Sequence, residues 1–284
     1  MISDYIRTSS VSEVVDALVE YQPWGRILAG GTDILPKTRG VRQKKSIPLV
    51  FIDVNRISDF RTIKMENGWL VIGPAVTIRD LIYSNLIKEE APVLAQAAAL
   101  IGSTEIRNRG TVGGNIGSKN ASADLLIPLI GLKAIVEICD TAGRREMNLE
   151  EILRKSVKDL GRRLVITAIK IPTGQAAYFG YKRWSRESMG RSYLSVMVII
   201  SPEIKAGSYR LKAIVGGGGL WPRSVEAVMP VQQLSATKSL TLLVKLLVEK
   251  GEKTNRRNMG DYRRQIMEVL LREALYTACE GGRF

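Results

Sequence analysis

Apolar positions recur along this chain with two periods, one near 3.6 and one of two, which predicts a mixture of helices and strands. Val11, Val14, Val15 and Leu18 form a helical stripe, and Ser10 followed by Glu13 predicts a capping box at its start. Residues 26–29 predict a short strand that stops at Gly30-Gly31, and residues 49–54 a buried one. Trp69 to Ile72 predicts a strand ended by Gly73-Pro74. Thr77 predicts the cap of a helix running to about Lys88, and Pro92 opens another that Gly102 closes. Residues 110–117 are dense in glycine and lead into an apolar turn, 123–128, and a buried helix. Strands are predicted over 135–138 and 164–171, and Pro172-Thr173-Gly174 marks the best domain boundary. Beyond it, strands over 178–184, 192–200 and 209–215, a bend at Gly216 to Gly219, and helices over 239–250 and 262–278 predict a small antiparallel sheet with helices on one face.

The chain has 284 residues, which suits two domains or one large one, and its 45% hydrophobic and 25% charged residues exclude bulk disorder. No apolar run approaches the roughly 20 residues that span a bilayer. The opening MISDYIRTSS lacks a signal-peptide pattern. The expectation is a soluble, cytoplasmic protein. Two cysteines, Cys139 and Cys279, and no histidine exclude a Ser-His-Asp triad, a His-ligated zinc, a four-thiolate iron–sulfur cluster and a His-linked flavin. If the chain is an enzyme, a bound organic cofactor carries its chemistry. The net charge of +14 is open to four readings: nucleic acid, an acidic partner face, an anionic cofactor, or a solvated basic surface. The densest basic run, Lys37, Arg39, Arg42, Lys44 and Lys45, has no interleaved aromatics, which is poor support for base stacking.

Two segments carry a chemical signal. One is Leu28, Ala29, Gly30, Gly31, Thr32, Asp33, Ile34 and Leu35; the other runs from Ile106 through Thr111, Val112, Gly113, Gly114 and Asn115 to Ile116. Glycine pairs let backbone N–H groups approach a ligand, and successive N–H groups form an anion-binding nest. Thr32, Thr111 and Asn115 add side-chain donors. Two tight turns without a ligand is the competing reading. Neither segment is G-x-G-x-x-G or a Walker A loop. Asp124 follows in a Leu-rich setting and needs a partner; it either caps the helix that starts at Leu125 or accepts from a ligand hydroxyl.

These segments resemble the FAD-binding, medium subunit of the molybdenum hydroxylases, the xanthine dehydrogenase and carbon monoxide dehydrogenase group. The family pattern is Ala-Gly-Gly with a polar and an apolar pair, then Ile-Arg-Asn-x-Gly-Thr-Ile-Gly-Gly-Asn, and the second motif stands almost whole here from Ile106 to Ile116. The likeness extends through Tyr181-Lys182 with Ser185-Arg186, through Trp221-Pro222-Arg223, and through the segment from Asp261 to Leu275. One departure is Ser118 to Asp124, which lacks the proline of many relatives but keeps the Asp at its spacing.

The resemblance implies an α+β fold. A FAD-binding domain of the vanillyl-alcohol-oxidase-like (PCMH) type would cover 1–175 in subdomains of about 1–57 and 58–175. An antiparallel sheet with helices would cover 176–284. It implies that both glycine segments clasp the pyrophosphate of noncovalent FAD. Asp124, Ile101, Leu164 and Lys182 fall at flavin-contacting positions, with Lys182 as a cation near the ring and Tyr193 over one ring face. No residue of this chain is expected to ligate a metal. The implied partners are a molybdopterin-binding large subunit and a [2Fe–2S] small subunit, in a dimer of heterotrimers. The flavin would take electrons from those clusters and pass them to an external acceptor. Two readings compete: a free-standing FAD-dependent reductase or oxidase, and a basic non-catalytic binding protein.

Overall fold

The computed structural model describes residues 2–39, 49–155, 164–174, 177–203, 207–233, 236–252 and 260–282. Arg42, Lys44 and Lys45 of the basic run lie outside the described residues. The chain forms two compact units, residues 1–119 with 132–173, and residues 120–131 with 174–284. Among the described residues no helix is long and apolar enough to cross a membrane.

In the first unit, β1 (Ile2–Arg7), β2 (Gly25–Leu28) and β3 (Leu49–Asp53) form a parallel sheet in the order β1-β3-β2. Helix α1 (Val11–Glu20) buries Val14, Val15, Ala17 and Leu18 in a cluster with Ile52, Val54 and Phe60. The Ser10 hydroxyl caps this helix by accepting from the Glu13 N–H. The Glu13 carboxylate, however, accepts from the N–H and hydroxyl of Ser9, so the expected reciprocal box is displaced by one residue. Strand β2 ends one residue earlier than expected and leads through a turn into α2 (Ile34–Arg39).

A second sheet in this unit is antiparallel, in the order β4-β5-β8-β6-β7. It comprises β4 (Ile63–Glu66), β5 (Trp69–Ile72), β6 (Ile135–Asp140), β7 (Gly143–Asn148) and β8 (Val165–Pro172). Between β5 and β6 the chain makes short helices, α3 (Ile78–Tyr83), α4 (Asn85–Glu90), α5 (Pro92–Ala99), α6 (Thr104–Arg109) and α7 (Val112–Gly117), and α9 (Leu149–Arg154) follows β7. The single helix expected from Thr77 to Lys88 is broken, because the Ser84 side chain accepts from the Ile87 N–H and starts a new turn. Thr77 and Asp80 do form a full capping box.

The second unit is built on an antiparallel sheet, β12-β11-β10-β9. Its strands are β9 (Tyr178–Trp184), β10 (Leu194–Pro202), β11 (Ser208–Gly217) and β12 (Leu220–Pro230). The expected bend at Gly216 to Gly219 is a hairpin turn, and Trp221-Pro222-Arg223 lies inside strand β12 rather than beyond the sheet. Helices α10 (Ala236–Glu252) and α11 (Asp261–Gly282) pack with the sheet around Val196, Val198, Leu243, Leu271 and Leu275. On the opposite face lies α8 (Leu126–Gly131), every residue of which is buried. At Gly131 an added Cβ would come within 2.3 Å of Met197 Sδ. Helices therefore cover both faces of this sheet, where one face was expected. The architecture is α+β.

Candidate functional site

The first glycine segment leaves the end of a parallel strand, where a sheet presents its backbone to a ligand. Leu28 closes β2, Ala29 to Asp33 form the turn, and Ile34 and Leu35 open α2. All eight residues are half-buried. Among the described residues the backbone N–H groups of Gly30, Gly31 and Thr32 have no intramolecular acceptor. Three successive free donors in a turn are what a backbone anion nest requires.

The second segment approaches the first closely. A Cβ on Gly30 would lie 1.8 Å from the Arg109 carbonyl oxygen, so only glycine permits this contact. A Cβ on Gly110 would sit 3.6 Å from Thr32 Oγ1. Arg109 Nε approaches the Gly30 carbonyl at 3.5 Å. The structure thus brings the two segments together.

Their chemistry differs. The second segment is not an open loop but the start of α7, with Thr111 as its N-cap. Its N–H groups are already used. Val112 donates to Val76 O (3.0 Å), Gly113 to Pro74 O (2.9 Å), Gly114 to Thr111 Oγ1 (3.1 Å) and Asn115 to Thr111 O (2.9 Å). The expected second nest of backbone donors is therefore absent, because helix formation and an isolated bridge between Thr77 and Thr111 consume it. What remains is a side chain. Asn115 Oδ1 is buried with no hydrogen-bond partner, an acceptor that a ligand hydroxyl would satisfy.

Ile101 is buried, and its carbonyl accepts from Arg107 Nη1 at 3.2 Å. Leu164 is half-buried and immediately precedes β8. Sequence reasoning missed Asn55. Its Nδ2 donates to the Ala29 carbonyl at 3.1 Å and so touches the first segment directly. The one available signal was a polar residue placed straight after a buried strand.

The remaining candidates lie in the second unit. Asp124 does not find its partner in the helix it precedes. Its Oδ1 pairs with Arg183 Nε at 2.9 Å, both side chains being buried. Burial pushes the Asp124 carboxyl up to about 6, against the opposing charges of Arg183 and Arg191. On the same strand Tyr181 is fully buried and donates to Ser195 Oγ at 3.4 Å, and Ser195 shares a 2.6 Å hydrogen bond with Ser192. Burial, followed by the Asp124 charge, raises the Tyr181 hydroxyl above its ordinary value. Sequence reasoning stated that Asp124 needed a partner and did not identify Arg183.

Lys182 pairs across the sheet with Val196, on the face that packs against α11. Arg183 and Tyr181 occupy the other face. Tyr193 lines an open cleft of about 440 Å³ with Ser122, Arg186, Arg191, Ser192 and Gly218. Its ring already carries the Arg263 guanidinium at 4.5 Å and that of Arg186 at 5.3 Å, with Trp184 edge-on at 5.1 Å. Cys139 and Cys279 are both half-buried free thiols.

The residues of the first unit fit a ligand with a compact anionic centre and neighbouring hydroxyls. Among the described residues three successive N–H donors are free, the close approach at Gly30 excludes a side chain, and Asn115 Oδ1 is buried without a donor. The family model described as the FAD binding domain in molybdopterin dehydrogenase matches residues 1–174. The carbon monoxide dehydrogenase medium chain of Hydrogenophaga pseudoflava is 30% identical over 187 residues, 65% of this chain and 64% of that one. The glyceraldehyde dehydrogenase medium chain of Sulfolobus acidocaldarius is 23% identical over 277 residues, 95% of this chain and 96% of its own length. The match to the 6-hydroxypseudooxynicotine dehydrogenase complex subunit alpha of Paenarthrobacter nicotinovorans, 31% identical, spans 53% of this chain and half of that protein. In fold, a chain of quinoline 2-oxidoreductase from Pseudomonas putida 86 superposes with a TM-score of 0.83 at 20% identity, covering 100% of this chain and 99% of its own.

Proposed function

Because this chain belongs to the family of FAD-binding domains of molybdopterin dehydrogenases, we propose that it is the FAD-carrying electron-transfer subunit of a heteromeric molybdenum hydroxylase. FAD, when bound, supplies a store for two electrons that exchanges them singly with one partner and in pairs with another. This chain's own residues do the holding. Gly30, Gly31 and Thr32 donate their N–H groups to the pyrophosphate, Gly30 and Arg109 keep the segments in contact, and Asn115 accepts from a hydroxyl of the cofactor. The resemblance also assigns Ile101, Leu164, Asp124, Lys182 and Tyr193 to FAD, and that assignment is part of the proposal.

The partners under this reading are a molybdopterin-binding large subunit and a [2Fe–2S] small subunit, assembled as a dimer of heterotrimers in the cytoplasm. Related proteins that are named medium chains of dehydrogenases support it. The electrons leave to an external acceptor. In fold terms the proposal is a PCMH-type domain over 1–175, divided near residue 57, followed by a C-terminal domain over 176–284.

The observations that carry the reading are the run of three free backbone donors after β2, the close approach of Gly30 to Arg109, and an orphaned acceptor on Asn115 of the second segment. The test is to purify the full chain, record its visible spectrum, and identify any chromophore released on denaturation. An oxidised-flavin spectrum with intact FAD released is the expected result. A colourless chain that also fails to take up added FAD would overturn it.

A further inference from the structure

We propose that Asn55 is a positioning residue that turns the Gly30 N–H toward the bound anion, and that Asp53 and Tyr5 hold Asn55 in that pose. The inference rests on the FAD reading given above.

The peptide between Ala29 and Gly30 is trans, so its C=O and N–H point in opposite directions. Whatever fixes the Ala29 carbonyl therefore aims the Gly30 N–H. Asn55 Nδ2 fixes it, donating to that carbonyl at 3.1 Å. With the carbonyl drawn toward Asn55, the N–H faces away and has no intramolecular acceptor among the described residues.

The amide of Asn55 is itself held at every polar atom. The second Nδ2 hydrogen goes to Asp53 Oδ1 at 2.6 Å, and the backbone N–H of Asn55 goes to the same oxygen at 2.8 Å. Asn55 Oδ1 accepts from Arg61 Nη2 at 3.4 Å, which settles the orientation of the amide. Asp53 sits in the parallel sheet with 8% of its surface exposed, and its Oδ2 accepts the Tyr5 hydroxyl. A buried carboxylate requires donors, and hydrogen bonds to an ionised acceptor are the short, stiff kind. Burial alone would raise the Asp53 carboxyl. The donors from Tyr5 and Asn55, with the charge of Arg7, outweigh it and hold the carboxyl below its ordinary range. The chain Tyr5–Asp53–Asn55–Ala29 thus links strands β1 and β3 to the peptide that faces the anion. Aspartate at position 55 would remove the donor and place a second negative charge beside Asp53.

The experiment titrates the full chain, wild type and variants, with FAD and with riboflavin, which has the same ring and ribityl chain but no phosphates. Thermal unfolding is followed in parallel. Asn55→Ala should weaken FAD about tenfold and leave riboflavin unchanged, so the FAD-to-riboflavin preference falls about tenfold. Tyr5→Phe, which keeps the ring and loosens only the far end, should lower the same ratio about threefold. It serves as the readout if Asn55→Ala does not fold. A loss of thermal stability with the ratio unchanged in both variants overturns the positioning role. A wild-type chain that binds FAD no better than riboflavin overturns the FAD reading itself and this inference with it.

Discussion

From residue 30 to 32 three successive backbone N–H groups have no acceptor among the described residues, whereas Gly110, Val112, Gly113, Gly114 and Asn115 have all spent theirs within the fold. The two segments look equivalent as strings of glycine and polar residues. What separates them is the local conformation each enters. The first leaves a parallel strand and keeps an open turn before α2, so its donors stay available. The second becomes the first turn of α7, and a helix with a side-chain N-cap and bonds to Val76 and Pro74 has nothing left to offer from its backbone. Glycine density marks where a backbone comes close to something. It does not say whether that neighbour is a ligand or another part of the chain.

The largest effect expected from this contrast is at Gly30. Gly30→Ala puts a Cβ 1.8 Å from the Arg109 carbonyl oxygen, and the neighbour is backbone that cannot rotate away. We expect a loss of about 3 kcal/mol or more in urea unfolding, together with loss of FAD binding in a fluorescence titration. Gly113→Ala crowds Pro74, whose Cβ would lie 2.6 Å from the new atom. It should cost about 1–3 kcal/mol of stability while leaving the FAD-to-riboflavin preference intact. Equal loss of that preference in the two variants would erase the distinction between the segments.

Asn115→Ala should separate binding from stability in the opposite sense. It removes a buried acceptor that has no partner, so unfolding without ligand should hold or gain up to about 1 kcal/mol, while FAD weakens about tenfold. A variant that is both less stable and unchanged for FAD would show that Asn115 is structural.

The smallest effect on the FAD-to-riboflavin preference is expected in the second unit. The Asp124 carboxyl is raised to about 6 by burial, against an unfolded value near 3.9. Between those values the folded chain holds a proton that the unfolded chain has lost. This group's contribution is therefore fully present below about pH 4 and is lost as pH rises through about 6. Urea unfolding across that window should show the downward slope in wild type and its absence in Asp124→Asn. The FAD-to-riboflavin preference, set by backbone donors that do not titrate, should stay flat over the same range.

Much of the fold was legible because burial follows period. The strands Trp69–Ile72 and Tyr178–Trp184 and the helix from Pro92 stand where their apolar spacing placed them. Strand β1 was not legible, because ISDYIR mixes polar and apolar residues and gains its place only by pairing with β3. Nor was β7, whose GRREMN is almost wholly exposed on a sheet edge. At the site, the two segments could be read from composition and their convergence could not, since the contact of Gly30 with Arg109 joins residues nearly eighty positions apart. Asn55 and Arg183 were missed for the same reason. Each acquires its role from a partner on a distant strand or turn, Ala29 for one and Asp124 for the other.

The most direct measurement is an equilibrium titration of the wild-type full chain with FAD and with riboflavin, followed by competition with ADP. If the free donors of residues 30–32 hold a pyrophosphate, FAD should bind at least about a hundredfold tighter than riboflavin, as two charge-assisted hydrogen bonds require, and ADP should displace it. Equal affinities for the two flavins, with no displacement by ADP, would contradict the assignment of that turn as the anion site.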